Sequence, residues 1–130
     1  MMNVSCHYTV NAPQPIGPYS QATSACGFVF ISGQLGVDPA TGQLVTGTIE
    51  EETKQALENL RHVLASANAG FADVVSTTIY LTDLSSFKTV NTLYELVLAG
   101  HKPARTTIQA AALPLGARIE ISMIACNGAN

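Results

Sequence analysis

The stretch TIEEETKQALENLRHVLASANAGFADVVSTTIYL, residues 48–81, predicts a helix followed by a strand. Thr48 is a good N-cap residue, and Glu51 three positions later completes a capping box. Glu50 to Glu52 lie at the positive end of the helix dipole, so these glutamates have a structural explanation and are assigned no catalytic role. Small and apolar residues recur at helical spacing until Gly70: Thr53, Ala56, Leu57, Leu60, Val63, Leu64 and Ala67. Residues 74–81, rich in Val, Thr, Ile and Tyr, predict the strand.

Two more strands are predicted before this helix, within Tyr19–Ile31. They join at Cys26 and Gly27, and Phe28–Ile31 is an apolar run that we expect to be buried. Ser32–Gln34 follows as a small, flexible stop to the second strand. Residues 38–42, DPATG, have the composition of a turn.

A second helix is predicted after the strand at 74–81. Asp83 begins it, it covers about residues 84–98, and Gly100 ends it. Asn91 lies inside this helix, where asparagine lowers helix propensity, and we expect it at the surface. The core face is predicted from its spacing to include Phe87, Val90, Leu93 and Tyr94 or Val97.

The last third of the chain predicts strands at about 104–110 and 118–125, separated by the sequence LPLG. In the final strand, alternation puts Ile119, Ile121 and Met123 on one face. The other face carries Arg118, Glu120 and Ser122. This polar face is therefore either exposed to solvent or part of a site.

The predicted order is strand, strand, helix, strand, helix, strand, strand, which is an α+β pattern in one domain, residues 1–130. We expect two helices on one face of a mostly antiparallel or mixed sheet. Apolar and charged residues rarely alternate along the predicted strands, so the second face of the sheet lacks the charges of a solvent-exposed surface. We therefore expect another surface to cover it. A symmetric oligomer would provide it.

Composition limits the possible functions. Charged residues make up 12% of the chain, the net charge is −3, and the isoelectric point is near 5.4, which argues against a basic nucleic-acid-binding face. No apolar run approaches the roughly 20 residues that span a bilayer, and the first residues have no signal-peptide pattern. The three cysteines show no paired spacing, so we expect reduced thiols and a cytoplasmic location.

Several chemistries lack their motifs in this chain. The three histidines are far apart in sequence, and no Cys-x-x-Cys or His-x-x-x-His pair is present, so no metal site is predicted. Gly33 and Gly36 precede a turn rather than a helix, which does not match a phosphate loop. Ser20 and Ser32 lack the glycine-framed elbow of serine hydrolases.

Arg105 and Glu120 are the strongest candidates for a catalytic site. Arg105 follows Pro103 and precedes two threonines, which favours an extended segment. A fixed guanidinium there would donate two parallel hydrogen bonds to a carboxylate, and a nearby Glu120 would act as general base toward a water. The two segments also fit a structural ion pair or two charges at a rim, because ion-pair networks recruit such residues too.

Six motifs in order resemble the RidA (YjgF/YER057c/UK114) family, and the similarity extends from about Asn11 to Ala125. They are GPYSQ at 17–21, SGQ at 32–34, DPATG at 38–42, KPAR at 102–105, LP at 113–114 and IEI at 119–121. The resemblance implies a chorismate-mutase-like fold and a homotrimer whose sheets line a central barrel. It also implies sites in clefts between subunits and a cofactor-free, metal-free deaminase that hydrolyses 2-iminopropanoate and 2-iminobutanoate to 2-oxo acids and ammonia.

The resemblance also implies roles for individual residues. Arg105 matches the arginine that holds the substrate carboxylate, and Glu120 matches the acid that positions or activates water. The backbone of Thr107 would face the imine. The remaining matches line the cleft: Tyr19, Ser32, Gly33 and Asn91. The chain departs from many relatives at Ser122, where they have a second glutamate, and at Ala112, where they have arginine; both departures affect the expected substrate preference.

Two other function classes compete with imine hydrolysis. One is an endoribonuclease or translation inhibitor. The acidic isoelectric point and the lack of a histidine pair for acid–base cleavage of RNA argue against it. The other is a chaperone-like or non-catalytic protein that binds small carboxylates. The expected partners are therefore a small 2-imino or 2-oxo acid and two further copies of the chain, without a membrane or nucleic acid.

Overall fold

Two helices pack against one face of a six-stranded sheet in the computed structural model, which describes residues 3–127. The elements are β1 (Ser5–His7), β2 (Ala22–Ala25), β3 (Phe28–Leu35), β4 (Val37–Asp38), β5 (Gln43–Leu44), α1 (Ile49–Ser66), β6 (Val74–Leu81), α2 (Phe87–Leu98), β7 (Ala104–Gln109) and β8 (Ile119–Cys126). The sheet has the order β1-β2-β3-β8-β6-β7, and only its β6–β7 pair is parallel. The expected α+β class with a mixed sheet is confirmed.

The predicted capping box begins α1. Thr48 Oγ1 accepts a hydrogen bond from the Glu51 backbone N–H at 3.2 Å, and the Glu51 carboxylate accepts one from the Thr48 backbone N–H at 3.5 Å. The apolar face of α1 is buried against the sheet, as its spacing predicted. The helix ends at Ser66, before Gly70, and Asn68 adopts a left-handed conformation there.

Glu52 and Arg118 form an ion pair that sequence reasoning missed. The Glu52 side chain is fully buried and accepts hydrogen bonds from the Arg118 backbone N–H at 2.6 Å and from Arg118 Nε at 2.7 Å. Arg118 Nη2 also donates to the Gly47 carbonyl at 2.8 Å. Arg118 therefore joins the start of α1 to the start of β8 and is not an independent charge on the polar face of that strand. Arg61, in contrast, pairs on the exposed surface of α1 with Glu58.

The predicted buried run Phe28–Ile31 is wrong in half of its positions. Val29 and Ile31 are buried beneath the helices, but Phe28 and Phe30 are 42% and 45% exposed on the opposite face. The predicted stop at Ser32–Gln34 is also wrong, because β3 continues through it to Leu35. The turn at Cys26 and Gly27 is confirmed, while the strand before it begins at Ala22 rather than Tyr19.

The second helix is confirmed with a different beginning. Asp83 caps a short 3₁₀ turn by accepting from the Ser85 backbone N–H at 2.9 Å, and α2 itself begins at Phe87. Val90 and Tyr94 are buried as predicted, whereas Phe87 is 38% exposed and is not a core residue. The helix ends at Leu98, and Gly100 follows with positive φ.

The helix-free face of the sheet is partly apolar. Phe28, Phe30 and Ile108 lie on this face and are each more than 40% exposed in the single chain. Apolar surface of this kind is typical of faces that contact another protein.

No helix of the described chain is both long enough and apolar enough to cross a membrane.

Candidate active site

Glu120 lies on the helix-free face of the sheet. Its neighbours in β8, Ile119 and Ile121, are fully buried beneath the helices, so alternation turns Glu120 to the other side. Partial burial raises the pKa of the Glu120 carboxyl above its ordinary value, because desolvation disfavours the charged form. Among residues 3–127, no arginine, lysine or histidine forms an ion pair with it. The site therefore holds an unpaired carboxyl group suited to accepting a proton.

Gly33 makes room for the Glu120 carboxylate. The pairing of β3 with β8 shifts between Ile31 and Gln34, and this β-bulge includes Ser32 and Gly33. A Cβ atom on Gly33 would lie 2.7 Å from Glu120 Cδ and 2.9 Å from Cγ, so any side chain at position 33 would force the Glu120 side chain to move. Gly33 of β3 and Glu120 of β8, which the resemblance assigns to one cleft, are thus in direct contact.

Ser32 and Tyr19 lie beside Gly33. The Ser32 hydroxyl donates to the Ser20 carbonyl at 2.6 Å, so it fixes the segment before β2. Tyr19 is 51% exposed and lines a small hollow of about 190 Å³ together with Gly33. Its hydroxyl accepts a long hydrogen bond, 3.5 Å, from the Ile16 backbone N–H. One end of the β3–β8 pair therefore carries Tyr19, Ser32, Gly33 and Glu120.

Arg105 lies on the helix side of the edge strand β7, over two aromatic rings of α2. Its guanidinium carbon is 5.5 Å from the centre of the Phe87 ring and 5.1 Å from that of Tyr94, which are cation–π distances. The Tyr94 hydroxyl donates to Thr77 Oγ1 at 2.9 Å, and burial raises its pKa, so it stays neutral. Within the described chain no carboxylate lies within 4.0 Å of the Arg105 guanidinium. Its hydrogen-bond donors are therefore available to a ligand carboxylate.

Asn91 and Thr107 lie on the Arg105 side. Asn91 and Arg105 line the same hollow, of about 460 Å³, between α2 and β7. Thr107 follows Arg105 by two positions in β7 and shares its face of the sheet. Asn91 Oδ1 and Thr107 Oγ1 are buried without a hydrogen-bond partner in the chain. Buried polar atoms of this kind are usually satisfied by protein, ordered water or a ligand. Asn91 is thus half-buried at a hollow rather than at the open surface that we expected.

Arg105 and Glu120 are on opposite faces of the sheet. Arg105 is level with Thr77 of β6, and Glu120 is level with Tyr80 of the same strand. Thr77 and Tyr80 are three positions apart, so their side chains point to opposite faces. The two residues form no ion pair within the described chain. In the described chain the sheet therefore separates Arg105 from Glu120.

The aromatic pair that supports Arg105 was missed in the sequence. Phe87 and Tyr94 are seven residues apart and thus lie on one face of α2, which we interpreted as core packing. The signal that could have distinguished the two interpretations is the position of Arg105 on the edge strand, and that depends on the parallel pairing with β6.

Among residues 3–127, no three His, Cys, Asp or Glu side chains lie close enough together to hold a metal ion.

Comparison with known proteins gives consistent similarities. Residues 9–127 match the family described as Endoribonuclease L-PSP. The chain is 50% identical over 120 residues to the 2-iminobutanoate/2-iminopropanoate deaminase of Mus musculus, covering 92% of this chain and 89% of that protein. The human protein of the same name is 48% identical over 120 residues, which cover 92% of this chain and 88% of that one.

Solved structures are similar over the same range. YyfA of Yersinia pestis, described as a member of the conserved Rid protein family, has a TM-score of 0.93 and 42% identity, with 95% of this chain and 99% of that one covered. E. coli TdcF, solved with bound serine, has a TM-score of 0.89 and 33% identity over 94% of this chain and 98% of that one.

Proposed function

Because the chain belongs to the RidA family, described as Endoribonuclease L-PSP, we propose that it is an enzyme that hydrolyses 2-imino acids to 2-oxo acids and ammonia. The relatives at about 50% identity carry the name 2-iminobutanoate/2-iminopropanoate deaminase, so the proposed substrates are these two small imino acids. The observation that carries the proposal is the combination of an unpaired, half-buried Glu120 carboxyl with an Arg105 guanidinium that has no carboxylate partner in the described chain.

The proposed reaction needs only these two groups and a water. Arg105 binds the substrate carboxylate through two parallel hydrogen bonds and thereby fixes C2. Glu120 accepts a proton from water while the water oxygen bonds to C2 and the C=N π electrons move to nitrogen, which takes up a proton. The resulting carbinolamine forms a C=O bond at C2 as its hydroxyl proton passes to the nitrogen and the C–N bond breaks, so that ammonia leaves.

A complete site requires two copies of the chain in this proposal. Arg105, Asn91 and Thr107 would come from one subunit, and Glu120, Gly33, Ser32 and Tyr19 from its neighbour. The apolar helix-free face, with Phe28 and Phe30 more than 40% exposed, supports a symmetric assembly. We propose a homotrimer with three intersubunit clefts around a central barrel, located in the cytoplasm.

The test is imine decay in a coupled assay, in which a serine or threonine dehydratase releases the imine. The wild type should accelerate its decay. Glu120→Gln should slow turnover by about 10²- to 10⁴-fold and keep affinity for 2-oxobutanoate, since Arg105 still binds its carboxylate. Arg105→Lys should lose both turnover and affinity for 2-oxobutanoate, because lysine cannot donate two parallel hydrogen bonds to the carboxylate.

Two results would contradict the proposal. A wild-type protein that binds 2-oxobutanoate without accelerating imine decay would be a carboxylate-binding protein. Cleavage of RNA that persists in both variants, without imine hydrolysis, would favour the endoribonuclease alternative.

A further inference from the structure

The hollow beside Arg105 concentrates positive charge. Three of the six Lys and Arg residues of the chain line it: Lys88, Lys102 and Arg105. Glu95 is the only acidic residue on its wall. The chain as a whole has a net charge of −3, so this hollow has the opposite sign to the rest of the molecule. Clefts lined by one sign of charge concentrate ligands of the other sign.

The lysines of the hollow are not neutralised by the chain. Neither Lys88 nor Lys102 has a carboxylate within 4.0 Å in residues 3–127. Arg61 and Arg118, in contrast, each pair with a glutamate. His101, on the same wall, donates a hydrogen bond from its Nε2 to the Val74 carbonyl at 2.6 Å and is thereby held against β6.

In the single chain, before a second subunit completes the proposed site, the hollow is large enough for a small-molecule ligand. Its volume of about 460 Å³ is within the range of roughly 300–1,000 Å³ that small-molecule sites have. A three- or four-carbon imino acid has one carboxylate, which Arg105 binds in the proposed reaction. Such a ligand leaves both lysines without a partner. A ligand with a second anionic group would use them.

We propose that this site accepts 2-imino and 2-oxo acids that carry a second carboxylate on their side chain. The first carboxylate binds Arg105, and the second binds Lys88 and Lys102. Lysine suits the binding of the second carboxylate because its ammonium is a point charge on a flexible stem. It can therefore reach carboxylates on ligands of different length. The assignment rests on the proposed function for the role of Arg105, and it extends the substrate class to dicarboxylates.

The test is calorimetric titration of the full-length protein with 2-oxoglutarate and with 2-oxobutanoate. The wild type should bind 2-oxoglutarate more tightly, and raising the salt concentration should reduce this preference. Lys88→Gln combined with Lys102→Gln should weaken 2-oxoglutarate binding by about three- to twentyfold, the combined effect of two exposed charge pairs, and weaken 2-oxobutanoate binding less, because that ligand has no second carboxylate. Lys54→Gln is the matched control: it removes the same charge from α1, outside this hollow, and should change neither affinity.

The outcomes separate this inference from the proposed function. Equal affinity for the two ligands in the wild type, or a lysine-to-glutamine variant that keeps the preference, would overturn the inference while imine hydrolysis stands. Lysine-dependent binding of 2-oxoglutarate in a protein without imine hydrolysis would support the inference and overturn the enzymatic role.

Discussion

Replacing Gly33 with alanine would place a methyl group where the Glu120 side chain lies. The new Cβ would be 2.7 Å from Glu120 Cδ and 2.9 Å from Cγ, whereas ordinary contacts of Cβ atoms begin at 3.4 Å. Gly33 does not have positive φ, so alanine is compatible with its backbone. The substitution therefore tests the contact with Glu120 rather than backbone strain.

The expected effect is on catalysis more than on stability. Glu120 is only half-buried and can turn toward solvent, so we expect a loss of about 1 kcal/mol in the free energy of unfolding, the low end of overpacking costs. The carboxylate, however, must move by a large fraction of an ångström. A misplacement of about 1 Å can lower a rate by roughly 10²-fold, so we expect kcat to fall by about 10- to 100-fold.

The dehydratase-coupled decay of 2-iminobutanoate measures this kcat, and thermal unfolding monitors the fold. Gly70→Ala is the matched control, because Gly70 has φ of −140° and a Cβ atom there would have no neighbour within 4 Å. It should keep wild-type activity. A Gly33→Ala protein with wild-type kcat would refute the reasoning, since Glu120 could not then be acting from its position against Gly33.

Two further predictions concern pH and stability. Burial raises the Glu120 pKa above 4.5, the ordinary value for glutamate, and only the carboxylate form accepts a proton. We therefore expect kcat to fall as the pH decreases through a value above 4.5. A pH profile in which kcat falls only at or below pH 4.5 would contradict this prediction. Arg118→Gln should lower the free energy of unfolding by about 2–4 kcal/mol in chemical denaturation, because it leaves the fully buried Glu52 carboxylate without its partner. Arg61→Gln, which breaks an exposed pair, should cost less than about 1 kcal/mol, and equal effects of the two variants would show that the buried pair is not stabilising.

The first helix could be predicted from the sequence because its determinants are local. Thr48 and Glu51 are three residues apart, and the apolar face of α1 repeats within one segment. The same is true of the turn at Cys26 and Gly27, where both residues adopt positive φ. Such features depend on neighbours in the chain and not on the rest of the fold.

The errors in β3 have long-range causes. Phe28 and Phe30 looked like core residues because an apolar run does not reveal how many of its faces are covered within one chain. The bulge at Ser32 and Gly33 looked like a flexible stop, since its reason is the carboxylate of Glu120, far along the chain on β8. No local pattern predicts such a contact.

The sequence predicted which residues belong to the candidate site, but not that Arg105 and Glu120 lie on opposite faces of the sheet. Their residue types and local sequence selected Arg105 and Glu120, and the RidA resemblance implied the same pair. The hydrophobic alternation of β8 correctly gave the face of Glu120. The face of Arg105 depends on the parallel register of β7 with β6, which the sequence does not contain in any short segment. The separation of the two residues by the sheet therefore became visible only in three dimensions.

The central claim, that each site combines Arg105 of one subunit with Glu120 of another, is tested most directly by mixing two inactive variants. Arg105→Lys and Glu120→Gln proteins are each purified, denatured together in equal amounts, refolded and assayed for imine decay. In randomly mixed trimers about one quarter of the clefts would combine an intact Arg105 with an intact Glu120, so roughly a quarter of the wild-type activity should return. If both residues act within one subunit, no mixed trimer has an intact site, and the mixture would stay as inactive as the separate variants.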